Sequence, residues 1–175
     1  ARCIIWARPT EVTMRSIIVF ALTSLAAAAA SAAGTVNVTF VDPDKFYDAG
    51  NTKIDVPANL KAIEEHLQGL GRRYLPDGQV LNITVLDVDL AGYTYIQRNG
   101  RMVRVTISLA DYPRFDIHYS LLADGQQIKS GDEVVKDMDY NRNGQSYAQT
   151  DPLRIEKRTL DDWFRVRFTD HQPPQ

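Results

Sequence analysis

Cysteine is all but absent from this chain: its single copy, Cys3, precedes the first methionine, Met14. Beyond residue 32 there is no thiol, which excludes from that part a disulfide framework, a thiolate zinc site and a cysteine nucleophile. Also missing are a G-x-S-x-G elbow, a phosphate-binding glycine loop and an H-E-x-x-H zinc motif. Hydrolytic nucleophiles are therefore unsupported. Positive charge is not in excess: 20 Lys and Arg stand against 22 Asp and Glu, a net charge of −2. Nucleic-acid-binding domains usually carry a basic patch or stripe, so that class loses weight.

Only one long hydrophobic run occurs, and it lies near the start. Residues Met14 to Gly34 read MRSIIVFALTSLAAAAASAAG, with Arg15 before an apolar and small-residue run from Ile17 to Ala30 and an A-x-A pattern at Ala30-Ser31-Ala32. This is the pattern of a secretory leader cut before Ala33. A membrane span would need about 20 apolar residues without the small-residue ending. Residues 1–13 then read as an over-extended start, 14–32 as the leader, 33–169 as one domain, and 170–175 as a disordered tail. Without residues 1–32 the chain keeps 17 basic and 21 acidic residues, a net charge of −4. Its 143 residues suffice to bury a core without staples. The expected product is periplasmic or secreted and not membrane-embedded, with no lipid anchor because no cysteine stands at the cut.

The remaining pattern predicts an α+β fold. TVNVTFV (35–41) alternates Val36, Val38 and Phe40 against polar residues, as a half-buried strand does. DPDKFYDAGNTKID (42–55) reads as a surface loop that either carries function or merely connects. Leu60, Ile63, Leu67, Leu70 and Tyr74 recur at helical spacing, with Asp55 as the expected cap and GRR (71–73) and LPDG (75–78) as the stop. In VLNITVLDVDLAGY (80–93) the alternation slips phase at Val85-Leu86, implying a bulge there or a strand covered on both faces. RMVRVTISL (101–109) and FDIHYSLL (115–122) are amphipathic strands. Asp124-Gly125 marks a hairpin into QQIKSGDEVV (126–135). Asp151-Pro152 opens a last helix carrying Leu153, Leu160, Trp163 and Phe164. WFRVRF (163–168) also alternates, which leaves helix or strand open at the end. The predicted order is β-α-β-β-β-β-α: one domain with a mainly antiparallel sheet of about five strands and two helices on one face.

Three stretches, VTFVDPDKFYDAG (38–50), LDVDLAGY (86–93) and EKRTLDDWF (156–164), resemble a family of secreted proteobacterial proteins catalogued as domain of unknown function 3016. The resemblance spans nearly all of the chain after the leader. It implies a bacterial envelope protein of no established activity, and it carries over no catalytic residues.

Any site must then come from the residues themselves. DYNRNG (139–144) fits the first half of the calcium-loop pattern D-x-[DN]-x-[DN]-G-x5-E, in which alternate residues supply oxygens and glycine makes the turn. Asp139, Asn141, Asn143 and the nearby Asp151 are the candidate ligands. The twelfth position is Thr150, so the closing Glu is missing, and the competing reading is a polar turn. Asp87 and Asp89, two apart on a strand, point the same way and could share a cation or act as an acid/base pair if the Asp42, Asp44 and Asp48 loop joined them. The plainer reading is a solvated strand face. His66, His118 and His171 share no metal-like spacing. Trp163-Phe164 with Arg165 and Arg167 forms either a docking patch or, more simply, core. No cofactor is expected, calcium apart. The function expected is a non-enzymatic binding or accessory module for an envelope protein or small ligand. The alternatives are a metal-assisted enzyme on Asp87 and Asp89, or a structural calcium site at Asp139–Gly144.

Overall fold

A strand that alternates on one face needs a partner layer, and here two helices supply it. The computed structural model describes residues 33–100, 102–106, 110–140, 147 and 150–169. Strand β1 (Thr35–Phe40) leads through a 3-10 turn at Pro43–Lys45 into α1 (Asp55–Tyr74). Then come β2 (Gln79–Asp89), β3 (Tyr93–Ile96), β4 (Met102–Val105), β5 (Arg114–Ala123), β6 (Gln126–Lys136) and α2 (Arg154–Phe168). The main sheet runs β1-β2-β5-β6, parallel between β1 and β2 and antiparallel elsewhere, while β3 and β4 pair as a separate antiparallel hairpin. Parallel neighbours need a crossover, and α1 provides it. The fold is α+β, as expected, with a sixth short strand added. That strand, β3, left no alternation because its tyrosines and Ile96 pack on neither layer of the main core.

One face of the sheet, carrying Val36, Leu81, Ile83, Val85, Val88, Phe115, Ile117, Tyr119 and Val135, is buried beneath Leu60, Ile63, Leu67 and Leu70 of α1 and Leu160 and Phe164 of α2. The phase slip in β2 is a bulge: Val85 pairs with Ile117 and Asp87 with Asp116, so Leu86 has no partner and turns outward. Val88 and Leu90 thereby return to the core, and Asp87 and Asp89 stay on the open face. Between β5 and β6, Asp124 (φ 51°) and Gly125 (φ 76°) make the two-residue turn that matches strand twist.

Two details at the ends of α1 differ from expectation. Ile54, not Asp55, stands at the cap position, and the N–H groups at this end are met by Thr52, whose Oγ1 accepts those of Ile54 (3.2 Å) and Asp55 (3.0 Å). GRR does not stop the helix either; Gly71 lies inside its last turn, where an added Cβ would sit 2.4 Å from Val36 Cγ2. That glycine serves close packing of helix on strand. The final segment is helix through Phe168. Phe164 and Phe168, one turn apart, meet with ring centroids at 5.0 Å, and Val166 faces outward.

Candidate functional site

Three chain segments meet where β2 ends. The loop after β1 is laid along β2 as a short parallel strand: Asp48 N–H donates to the Val88 carbonyl and Leu90 N–H to the Asp48 carbonyl, both at 2.9 Å. One residue earlier, Tyr47 N–H donates to Asp87 Oδ1 at 2.8 Å. The β3–β4 hairpin is fastened to the same place by Arg104, which is largely buried. Its guanidinium donates to the Asp48 carboxylate (2.6 Å) and to the carbonyls of Leu90 (2.7 Å), Ala91 (2.7 Å) and Gly92 (2.9 Å). A planar fork with several donors suits such a cluster of acceptors, which an ammonium could not span. Gly92 (φ 77°) is required at this corner, since a Cβ there would lie 2.2 Å from the Val105 carbonyl oxygen.

Beneath the corner lies Glu156 of α2, 1 % exposed. Its Oε1 accepts the Ala91 N–H at 2.8 Å, and its Oε2 has no hydrogen-bond partner among the described residues. Burial pushes the Glu156 carboxyl above its ordinary range, against the pull of hydrogen bonds and of Arg104 and Arg154.

Because the loop is pinned at both Tyr47 and Asp48, the space between it and the start of α1 is a formed cleft of about 510 Å³. Phe46 and Val56, which also pack on the core, supply apolar surface; Asp44, Asn51, Thr52 and Lys53 supply polar groups, and Tyr47 is 80 % exposed beside them. Its volume falls within the range of small-molecule clefts, about 300–1,000 Å³. A second depression of about 240 Å³ adjoins it at Gly50 and Asn51 and reaches Asn59, Thr94, Arg104 and Leu153.

Asp87 and Asp89 do point the same way, and Asp48 joins them. Burial pushes the Asp89 carboxyl up, reinforced by the negative charges of Asp48 and Asp87, while Arg104 and Arg114 oppose. Yet Asp87 Oδ1 is occupied by the N–H groups of Tyr47 and Val88, its Oδ2 lies 3.9 Å from Arg114 Nη1, and Asp48 is held by Arg104. Among the described residues no three His, Cys, Asp or Glu side chains come together as metal ligands would. Of the other loop acids, Asp42 pairs with Lys45 (2.8 Å) and Asp44 lines the cleft.

In the candidate calcium loop, Asn141, Asn143 and Gly144 lie outside the described residues. Asp139 donates its N–H to the Asp137 carboxylate at 2.9 Å. Asp151-Pro152 does not open the last helix as expected: Leu153 precedes its first residue, Arg154, and Asp151 stands in the turn before it, where Oδ1 accepts the Leu153 N–H (2.9 Å) and Oδ2 the Lys157 ammonium (2.7 Å). Burial pushes its carboxyl up, but these bonds outweigh burial and hold it below the usual range.

The histidines do not share a site. His118 pairs with Asp132 across β5 and β6 on the open face (2.7 Å), and His171 lies outside the described residues. His66 is fixed between the helices, its Nε2 at 2.9 Å from Asp161 Oδ1 and 3.1 Å from the Lys157 carbonyl oxygen. Tyr147 donates its hydroxyl to Asp161 Oδ2 at 2.6 Å; burial first, then that carboxylate, pushes the phenol up. Phe164 is core, and Trp163 packs on Tyr119 and Phe168 and donates Nε1–H to Glu133 (2.9 Å). Sequence reasoning missed Arg104, Glu156 and the His66–Asp161–Tyr147 group. Arg104 sits in plain strand alternation, and Glu156 carried one sign, falling four residues before Leu160 on the apolar stripe.

No described helix is long and apolar enough to cross a membrane. Comparison with curated proteins finds no match, and comparison with solved structures finds none. Residues 34–166, which take in every element from β1 to most of α2, match the family described as protein of unknown function (DUF3016), and the chain belongs to that family.

Proposed function

We propose that this protein is an exported bacterial envelope component that binds rather than catalyses, holding a small amphipathic ligand in the cleft between the Pro43–Lys53 loop and α1. The observation that carries the reading is the pinning of Tyr47 and Asp48 to β2 and Arg104 by the protein's own hydrogen bonds, which shapes the cleft. A preformed cleft avoids the ordering cost that a loose loop would meet on binding. Export rests on the leader pattern from Met14 to Ala32.

Native mass spectrometry of protein recovered gently from the envelope fraction tests both parts. The expected spectrum shows a chain beginning at Ala33 with an added small-molecule mass, and Val56→Trp, which fills the cleft, removes that mass. A chain recovered from the cytoplasm with residues 1–32 attached would sink the export part; an adduct unaffected by Val56→Trp would move the ligand elsewhere.

A second reading, metal-assisted chemistry on Asp87 and Asp89, has one observation in its favour, the approach of Asp48 to Asp89. It ranks behind because Asp87 is already occupied by two N–H groups and Asp48 by Arg104. Loss of any metal-dependent turnover in Asp89→Asn, with the fold intact, would reverse that ranking.

A further inference from the structure

We infer that a second copy of this chain docks on the free edge of β6, joining two four-stranded sheets into one of eight strands. The inference is independent of the proposed ligand cleft, which lies beside the β1 and β2 side of the sheet. Among the described residues β5 is the one strand paired with β6, so one side of β6 offers N–H and C=O groups to another strand. Its two halves differ. Near the turn, Leu121 pairs with Lys129 and Leu122 with Gln127, leaving Ile128 as a bulge that bends this half away from regular pairing. From Gly131 to Lys136 the register is unbroken.

On that regular half, Asp132, Val134 and Lys136 share the open face, opposite His118, Asp116 and Arg114 of β5. An antiparallel copy placed with its two-fold axis through Val134 sets residues equidistant from Val134 against each other. Val134 then meets its own copy, and each Asp132 meets the other chain's Lys136, giving two opposite-charge pairs around an apolar centre. The strand is thus complementary to itself in this register. Lys136 makes no ion pair among the described residues, and the Asp132 side chain is 81 % exposed.

The apolar exposure falls at the same place in both layers. Val134 (52 % exposed) and Met138 (53 %) lie on and just beyond the strand, and Val166 (50 %) is on the outward face of α2. A depression of about 310 Å³ between β6 and α2 includes Val134, Trp163 and Val166. A second copy covers strand edge and helix flank together, which an isolated strand from another protein would not.

Sedimentation equilibrium and light scattering on the purified chain test the inference. The wild type is expected at twice the chain mass. Val134→Lys, which sets like charges across the axis at a position exposed in the monomer, is expected to halve the mass with unchanged circular dichroism. Asp132→Lys should weaken the dimer, and adding Lys136→Asp should restore it. In a Cys3→Ser background, Val134→Cys should oxidise to a covalent dimer and Ile128→Cys should not. A monomeric wild type, a dimer indifferent to Val134→Lys, or equal cross-linking at both positions would overturn it.

Discussion

At the scale of single residues, two ionisable side chains, Arg104 and Glu156, stand where charge is costly. Arg104 answers four acceptors from two segments, Asp48 on one side and the Leu90, Ala91 and Gly92 carbonyls on the other. Its removal leaves a carboxylate and three carbonyls short of a donor, and breaking such a partly buried set costs about 3–5 kcal/mol. Urea denaturation of Arg104→Ala should show that loss, with Arg104→Lys recovering only part because a point charge cannot span the fork. Glu156 acts in the other direction. Its folded-state carboxyl titrates above the ordinary 4.5, so its contribution to stability is fully present below that value and is lost as pH rises through the raised folded value. Glu156→Gln keeps an acceptor for the Ala91 N–H and cannot ionise. The variant's stability relative to wild type should therefore grow as pH rises above about 4.5, the ordinary Glu value; parallel pH profiles would contradict the assignment.

At the scale of elements, α1 shows how two glycines with the same intrinsic propensity take opposite roles. Gly71 is buried, and a Cβ there meets Val36 Cγ2 at 2.4 Å; Gly69 meets only the tip of the Arg72 side chain, at 3.8 Å. Alanine favours a helix interior over glycine by about 1 kcal/mol. Gly69→Ala should therefore stabilise by about 0.5–1 kcal/mol. Gly71→Ala should destabilise by roughly 1–3 kcal/mol because a core side chain must shift. Opposite displacements of the denaturation midpoint are the expected result, and two shifts of the same sign would show that α1 does not rest on β1 as described. The helix ends were only partly legible. Apolar spacing located α1 and α2, but Asp55 and Thr52 are both cap-competent residue types, and only the path of the incoming loop decides which oxygen reaches the free N–H groups.

For the whole molecule, the calcium motif gives the next prediction. Both oxygens of Asp151 are committed, one to the Leu153 N–H and one to Lys157, so the acid nearest the missing twelfth position is already neutralised. Added calcium should leave the thermal midpoint unchanged, because only a ligand held by the folded state raises it. A midpoint raised by calcium and returned by chelator would restore DYNRNG as a metal loop. The leader pattern, the cysteine-poor composition and the acidic balance act at this scale too, and they belong to the chain as a string.

What the sequence determined by itself was whatever depends on spacing along the chain. That covers the α+β class, both amphipathic helices, the Asp124-Gly125 turn and the slip at Val85-Leu86, since burial on one face imposes a period of 2 or 3.6. Distances across the chain were decided only by the tertiary structure. Asp48 meets Asp89 from 41 residues away, Arg104 closes on Asp48, Glu156 reaches Ala91 from 65 residues away, and His66 finds Asp161. Nothing local distinguishes a carboxylate that will face water from one that will face a guanidinium. That choice is made when the sheet and helices pack, because only then is water removed and a partner charge fixed in its place.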